Sequence, residues 1–290
     1  MTRILKVDPT SLNGIFRDIR HWLTFADPTP VHRLDKPTTG CLVVPLNSGV
    51  AKFVSHQLGK GLVQKTYLAL VRGGNLSFSK KSGQIFARLG YADGRGRIDP
   101  GGVQALTNWE LMASSNTAPV SLLKLNLLTG RKHQLRIHLA KILNAPILGD
   151  TLHSSTLLHP SIVSATKVPE DRLFLHAAEV SFFRFRPTGN RYRLTVRAPL
   201  PPDFLKICQD LGIDVPQERV EGGILIDEKV ARPGAPQLQP WKFFDPSTPT
   251  TPEISNAEVP EVLPELIDID SEQRQDAASS ITNNERTTNS

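Results

Sequence analysis

The strongest constraint on this chain is a close succession of strand-length apolar runs, at residues 42–46, 66–71, 103–112, 121–128, 174–185 and 192–198. Glycine, proline and polar turn residues punctuate them. Only two helical patterns interrupt the series. Residues 49–58 carry Val50, Phe53, Val54 and Leu58 on an approximate helical stripe, with Ser48 as the cap and Gly59 and Gly61 as the stop. Residues 132–143 place Leu135, Leu139 and Ile142 at i, i+4 and i+7. A last helix is expected at 202–211. A doubly wound sheet would need a crossover helix after nearly every strand, so strands in runs argue for an α+β protein.

The chain changes character at residue 245. From there to residue 290 it has no aromatic residue, five prolines, and twelve Ser or Thr. Too little apolar surface is available there to offset the entropy of ordering, and disorder is expected. Residues 215–244 are rich in proline and glycine and read as an extension, with a short strand at 223–226 and Trp241, Phe243 and Phe244 docking it to the body. The expected organisation is a domain over 1–214, an extension over 215–244 and an acidic tail over 245–290.

Charge follows the same division. The tail holds ten acids and two bases, a net of −8, which leaves 32 Lys and Arg against 18 Asp and Glu in residues 1–244, a net of +14. A body this basic suits a polyanion, because each phosphate it neutralises releases condensed counterions. No apolar run is long enough for a membrane span, and the first residues lack the pattern of a secretory signal. Cys41 and Cys208 stand far apart and make neither a disulfide framework nor a zinc motif. An intracellular monomer with no membrane partner is the expectation.

Four segments concentrate chemistry. His32-Arg33-Leu34-Asp35-Lys36-Pro37-Thr38-Thr39-Gly40 sets a carboxylate between cations in a proline-glycine turn ahead of a strand. Asp35 between two cations stays ionised, as a nucleophile or electrostatic catalyst requires; an exposed turn is the plain alternative. Thr129-Gly130-Arg131-Lys132-His133-Gln134-Leu135-Arg136 leads two cations into a helix on which His133 and Arg136, three apart, share a face. His133 and His138, five apart, do not, and no Glu lies between them, so zinc is not expected. Lys65-Thr66-Tyr67 is a polar-aromatic strand segment, and a tyrosine there is commonly core. His176, in Arg172-Leu173-Phe174-Leu175-His176, reads as a hydrogen-bonded core histidine. No dinucleotide fingerprint, phosphate loop or nucleophile elbow occurs.

Taken together and in order, these segments resemble the RluA-type RNA pseudouridine synthases, over about residues 10–212. HRLDKPTTG resembles the family's catalytic loop, QKTYLALVRG its tyrosine motif, TGRKHQLRIHLAKILNAPILGD its third motif and RLFLHAAEVSF its closing strand. The resemblance implies a mixed, largely antiparallel sheet with flanking helices and a basic cleft, and neither metal nor organic cofactor. By position, Asp35 matches the essential aspartate, which attacks the target nucleoside while the glycosidic bond breaks and uracil reattaches through carbon 5. Tyr67 matches the tyrosine that packs on the target base and takes part in proton removal. Arg136 matches the arginine that pairs with the aspartate, and Arg33 one near the place vacated by the flipped nucleotide. Lys65, Arg131 and His133 are expected to contact RNA, ribosomal or transfer, beside them. No counterpart of the family's first motif, with its Lys-Pro turn, precedes His32. A catalytically inactive RNA-binding relative, acting as a chaperone or processing accessory, is the competing expectation. The acidic tail is expected to contact a basic protein, and a mitochondrial setting is favoured over cytoplasm or nucleus.

Overall fold

The computed structural model describes residues 30–92, 95–155, 157–186 and 189–231. The expectations for the amino-terminal segment, for Trp241, Phe243 and Phe244, and for the acidic tail lie outside the described residues. Among the described residues ten strands form one sheet: β1 (Thr39–Gly40), β2 (Gln64–Arg72), β3 (Ser82–Ala92), β4 (Arg95–Ile98), β5 (Val103–Ser114), β6 (Val120–Leu127), β7 (Leu175–Phe185), β8 (Arg191–Arg197), β9 (Gly223–Ile226) and β10 (Lys229–Val230). Their order is β10-β9-β8-β7-β2-β6-β5-β3-β4, with every pairing on this path antiparallel. Only β1 runs parallel to its partner, setting Thr39 opposite His176 and Gly40 opposite Ala177. It takes the place beside β7 that β8 vacates beyond the Glu179–Arg197 pair. The sheet is mixed and largely antiparallel, and β9 joins it as expected.

Among the described residues five α-helices accompany the sheet: α1 (Ser48–Gly59), α2 (Gln134–Lys141), α3 (Pro160–Ala165), α4 (Pro202–Asp210) and α5 (Gln217–Glu221). Side chains alternate across β2. Leu68 and Leu70 pack with Leu122, Phe174, Phe204, Ile207 and Cys208, the α4 side. Tyr67, Ala69 and Val71 pack with Leu123, Leu125, Trp109, Leu135 and Leu139, the α2 side. The central strands are therefore buried on both faces, which explains their nearly continuous apolar sequence.

Three local expectations are corrected. Residues 42–46 form no strand; Cys41 N–H bonds the Ala177 carbonyl and Val43 N–H bonds His32 Nε2 at 2.9 Å, so this apolar run is a packed coil. The cap of α1 is Asn47, whose side chain accepts from Val50 N–H, and Ser48 is already helical. Finally, α2 begins at Gln134 because His133 adopts a left-handed conformation (φ 54°).

Candidate active site

The Asp35 loop is held from below by the sheet. Thr38 N–H closes the turn onto the Asp35 carbonyl at 2.8 Å. Thr39 Oγ1 lies 2.9 Å from His176 Nδ1, so His176 is the hydrogen-bonded core histidine expected, and its partner is the loop itself. The buried Arg172 guanidinium reaches the Pro37 carbonyl and Thr39 Oγ1, each at 3.4 Å, while its Nε binds Asp203 at 2.6 Å. Gly40 takes φ +112°, and a Cβ there would collide with the Ala177 carbonyl. Only glycine permits this approach of loop to strand.

Facing the loop, β2 is irregular where it matters: its register against β7 shifts between Thr66 and Leu68, which puts Tyr67 at a bulge. Bulges re-aim side chains and gather at active sites. Tyr67 is 7% exposed, and its phenol is pushed well above the usual range, first by burial and then by the negative charge of Asp35. Its hydroxyl therefore stays protonated at neutral pH. Lys65 is half-buried and its ammonium is drawn down by desolvation; a Cβ on Gly130 would stand 3.4 Å from its Nζ.

The third wall is the turn into α2. Gln134 organises it: its Oε1 accepts from Thr129 Oγ1 at 2.7 Å and Arg131 N–H at 3.0 Å, and its Nε2 donates to the Leu106 carbonyl and Thr107 Oγ1, both at 2.9 Å. Arg131 is exposed and donates to the Gln104 carbonyl at 3.0 Å. Arg136, 6% exposed, makes a two-pronged pair with Asp150, Nε to Oδ2 at 2.9 Å and Nη2 to Oδ1 at 2.7 Å. Among the described residues no ion pair joins Arg136 to Asp35, contrary to the pairing expected. The carboxylate that satisfies this buried guanidinium follows Gly149 instead, and the bidentate geometry uses both of its oxygens. Asp150 is held below the usual carboxylate range against its own burial by Arg136 and by the Leu152 and His153 amides.

Two residues at the site went unread in the sequence. His153, next to that carboxylate, lies with Nε2 3.2 Å from His133 Nδ1, the rings edge to face at 5.3 Å. Tyr91 stands on the β3–β4 hairpin and donates from its hydroxyl to the Lys132 carbonyl at 2.9 Å. The negative charge of Asp35 is felt at Tyr67, Tyr91 and His133 alike. Arg136 also acts on His133, lowering it while Asp35 draws it up. Arg33 is exposed on the loop beside Asp35. Among the described residues no group of three His, Cys, Asp or Glu is placed to hold a metal ion, and no helix is long and apolar enough to cross a membrane.

Asp35 is a half-buried carboxylate whose charge reaches a protonated phenol and an imidazole, with the exposed Arg33 on the same loop. The RNA pseudouridylate synthase family model matches residues 24–141, which hold Asp35, Tyr67 and Arg136. The RNA pseudouridine synthase YhcT of Bacillus subtilis is 35% identical over 203 residues, 68% of this chain and 58% of that protein. The tRNA pseudouridine synthase C of Haemophilus influenzae is 32% identical over 193 residues, 63% of this chain and 78% of that protein. Human RNA pseudouridylate synthase domain containing 4 shares the fold, with a TM-score of 0.56 at 24% identity over 70% of this chain and 82% of that one. The chain belongs to the RNA pseudouridylate synthase family, a class of isomerases that act on RNA.

Proposed function

We propose that this chain converts uridine to pseudouridine in RNA, with Asp35 as the reacting carboxylate. The observation that carries the reading is the Asp35 loop, anchored on β7 through Gly40, Thr39 and Arg172, in a chain of this family. A stacked uridine must be flipped out before a carboxylate can reach its sugar, at a cost of a few kcal/mol. Phosphate contacts from a body of net charge +14 offset that cost, with Arg33, Lys65 and Arg131 nearest the cleft. Tyr67 packs on the flipped base, with its phenolic O–H as a hydrogen-bond donor. Arg136 is a positioning residue that works through Asp150.

Asp35→Asn is the direct test, since the amide is nearly isosteric but a far weaker nucleophile. Tritium release from RNA carrying 5-tritiated uridine is expected to fall below a few per cent of wild type, with RNA affinity unchanged within about three-fold. Higher turnover in the pure variant removes Asp35 from the mechanism. The finer reading has transfer or ribosomal RNA as substrate, a monomer in a mitochondrial setting, and a basic protein as partner of residues 245–290. Pseudouridine mapping with and without the gene, mass photometry and cell fractionation test those parts separately.

A further inference from the structure

The end of the β7–β8 hairpin carries a charge pattern that the Asp35 cleft does not account for. Residues 181–197 hold five arginines and no acid. One of them, Arg197, pairs with Glu179, which Arg219 also reaches. The other four, Arg184, Arg186, Arg191 and Arg193, gather at the turn end of the two strands, interleaved with Phe183, Phe185 and Tyr192.

The antiparallel register explains the grouping. Phe183 stands opposite Arg193 and Phe185 opposite Arg191, while Arg184 stands opposite Tyr192. Opposed side chains share a face of the sheet, and successive residues alternate between faces. Phe183, Arg191 and Arg193 therefore lie on one face, and Arg184 and Tyr192 on the other. On the first face the Arg193 guanidinium lies 4.2 Å and that of Arg191 4.7 Å from the centre of the Phe183 ring. At the Tyr192 ring the corresponding distances are 5.6 Å for Arg186 and 5.9 Å for Arg184. Two aromatic rings thus hold four guanidinium groups astride the end of one hairpin.

Two cations on one ring repel each other. Arg193 is drawn down first by burial and then by the charge of Arg191, with Glu228 acting against both. Asp227 meets Arg186 at 3.5 Å and accepts from the Arg193 backbone N–H at 2.9 Å. The Arg193 side chain donates to Ser181 Oγ at 3.0 Å, but among the described residues neither Arg191 nor Arg193 forms an ion pair. A hairpin built only for stability would set acids across from its arginines, since opposed like charges are unfavourable. A guanidinium stacked on a ring still donates from its edge, in the fork geometry that grips a phosphate with two prongs.

We propose that this hairpin end is a second RNA-contact surface, which takes the phosphodiester backbone of the substrate outside the Asp35 cleft; the inference rests on the RNA-modifying reading above. Strand β7 joins the two places. Its Ala177 stands opposite Gly40 of the Asp35 loop, and Phe183 lies six residues further on. At the rise of a strand that is about 20 Å, so the hairpin meets a part of the RNA that the flipped nucleotide does not reach. The interleaving of aromatic rings with arginines favours nucleic acid over an acidic polypeptide. Rings accept bases, and Phe185 is 40% exposed at the hairpin end, while the guanidinium groups take phosphates. The bound backbone neutralises the like charges that the hairpin holds side by side.

The test measures binding of the full chain to unfractionated transfer RNA by fluorescence anisotropy across a series of salt concentrations. Arg191→Gln combined with Arg193→Gln is expected to weaken binding about ten-fold near 0.1 M salt and to lower the salt slope by about one to two counterions. The control, Lys80→Gln with Lys81→Gln, removes the same charge from an exposed turn elsewhere and should change affinity less than about two-fold. Lysines at 191 and 193 should recover only part of the loss, because an ammonium neither stacks nor forks as a guanidinium does. Arg191 is exposed, so Arg191→Gln alone, with an expected loss of about three-fold, decides the matter should the double variant unfold in circular dichroism. Equal losses in the arginine and lysine pairs, no loss in either, or full recovery with lysine overturns the proposal. Unchanged RNA binding with loss of binding to polyglutamate assigns the surface to an acidic polypeptide and overturns it too. A wild-type chain that binds RNA through these arginines yet forms no pseudouridine supports this surface and overturns only the functional reading.

Discussion

The two helices on opposite faces of the sheet are nearly the same length and are built on opposite principles. On one face α4 inserts Phe204, Ile207 and Cys208 among Leu68, Leu70, Leu122 and Phe174, and its polar side faces outward. It is an ordinary amphipathic helix, held by apolar transfer. On the other face α2 buries six consecutive residues, Gln134 to Leu139, including a glutamine, an arginine and a histidine. Each buried polar group there needs a partner or costs stability. Gln134 finds the Thr129 loop, Arg136 finds Asp150, and His138 Nδ1 meets Thr107 Oγ1 at 3.0 Å. One helix stabilises the sheet, and the other gives up apolar contact to hold a cleft in a fixed shape.

The sharpest way to break that contrast is Arg136→Met. Removing one member of a buried pair leaves Asp150 charged with only the Leu152 and His153 amides for partners, at a cost of about 3–5 kcal/mol in thermal or urea unfolding. Turnover should fall as well, with single-turnover rates losing more than RNA affinity. Arg136→Met combined with Asp150→Leu should regain most of the stability without regaining activity, because an apolar replacement of the whole pair is tolerated by the fold. If the double variant turns over normally, α2 is merely a second stabilising helix.

On the α4 face, Phe204→Ala should cost a comparable 3–5 kcal/mol through cavity formation. Activity per folded molecule should nevertheless stay within about two-fold at low temperature, measured by rate and circular dichroism on the same sample. A specific loss of rate would show that α4 does more than pack.

The smallest effect is a dependence on pH shared by both faces. His138 in α2 and His176 beside Phe204 are each lowered by burial from 6.5 to about 4. The unfolded chain takes up protons near pH 6.5 that the folded one refuses until about pH 4. Stability is therefore fully present above the unfolded value and is lost as pH falls through this window, by up to about 1.4 kcal/mol per pH unit for each residue. Urea midpoints between pH 7 and pH 4 should show the slope, and His138→Gln and His176→Gln should each flatten it. An unchanged slope in either variant assigns the acid sensitivity elsewhere.

How legible each face was in the sequence follows the same division. The helix expected at 202–211 is found at Pro202–Asp210, since amphipathic spacing and a flanking proline write its bounds directly. The helix expected at 132–143 loses residues at both ends, because the Gln134 side chain and the left-handed His133 spend the first turn on a loop. The long strands β2, β5, β6, β7 and β8 were visible as branched apolar runs. The β3–β4 hairpin was not, as the exposed Phe86 breaks the alternation of Ile85, Ala87 and Leu89, and Gly83 and Gly90 interrupt the run. Tyr91 was missed with it. The motifs supplied Asp35, Tyr67 and Arg136, but Arg136 and Asp150 stand fourteen residues apart with no local pattern to announce a pair. His153 carried no signal at all, a single histidine in a polar turn.

Arg172 ties the two faces together. Its Nε holds Asp203 in the first turn of α4, while its other nitrogens reach the Pro37 carbonyl and Thr39 Oγ1, two and four residues from Asp35. A planar guanidinium cannot bend, so it acts as a strut. One side chain therefore holds both the Asp35 loop and the first turn of α4, whereas the turn into α2 is fixed to β5 through Gln134. A substitution at Asp203 reaches the Asp35 loop by that route and leaves the apolar core beneath α4 untouched.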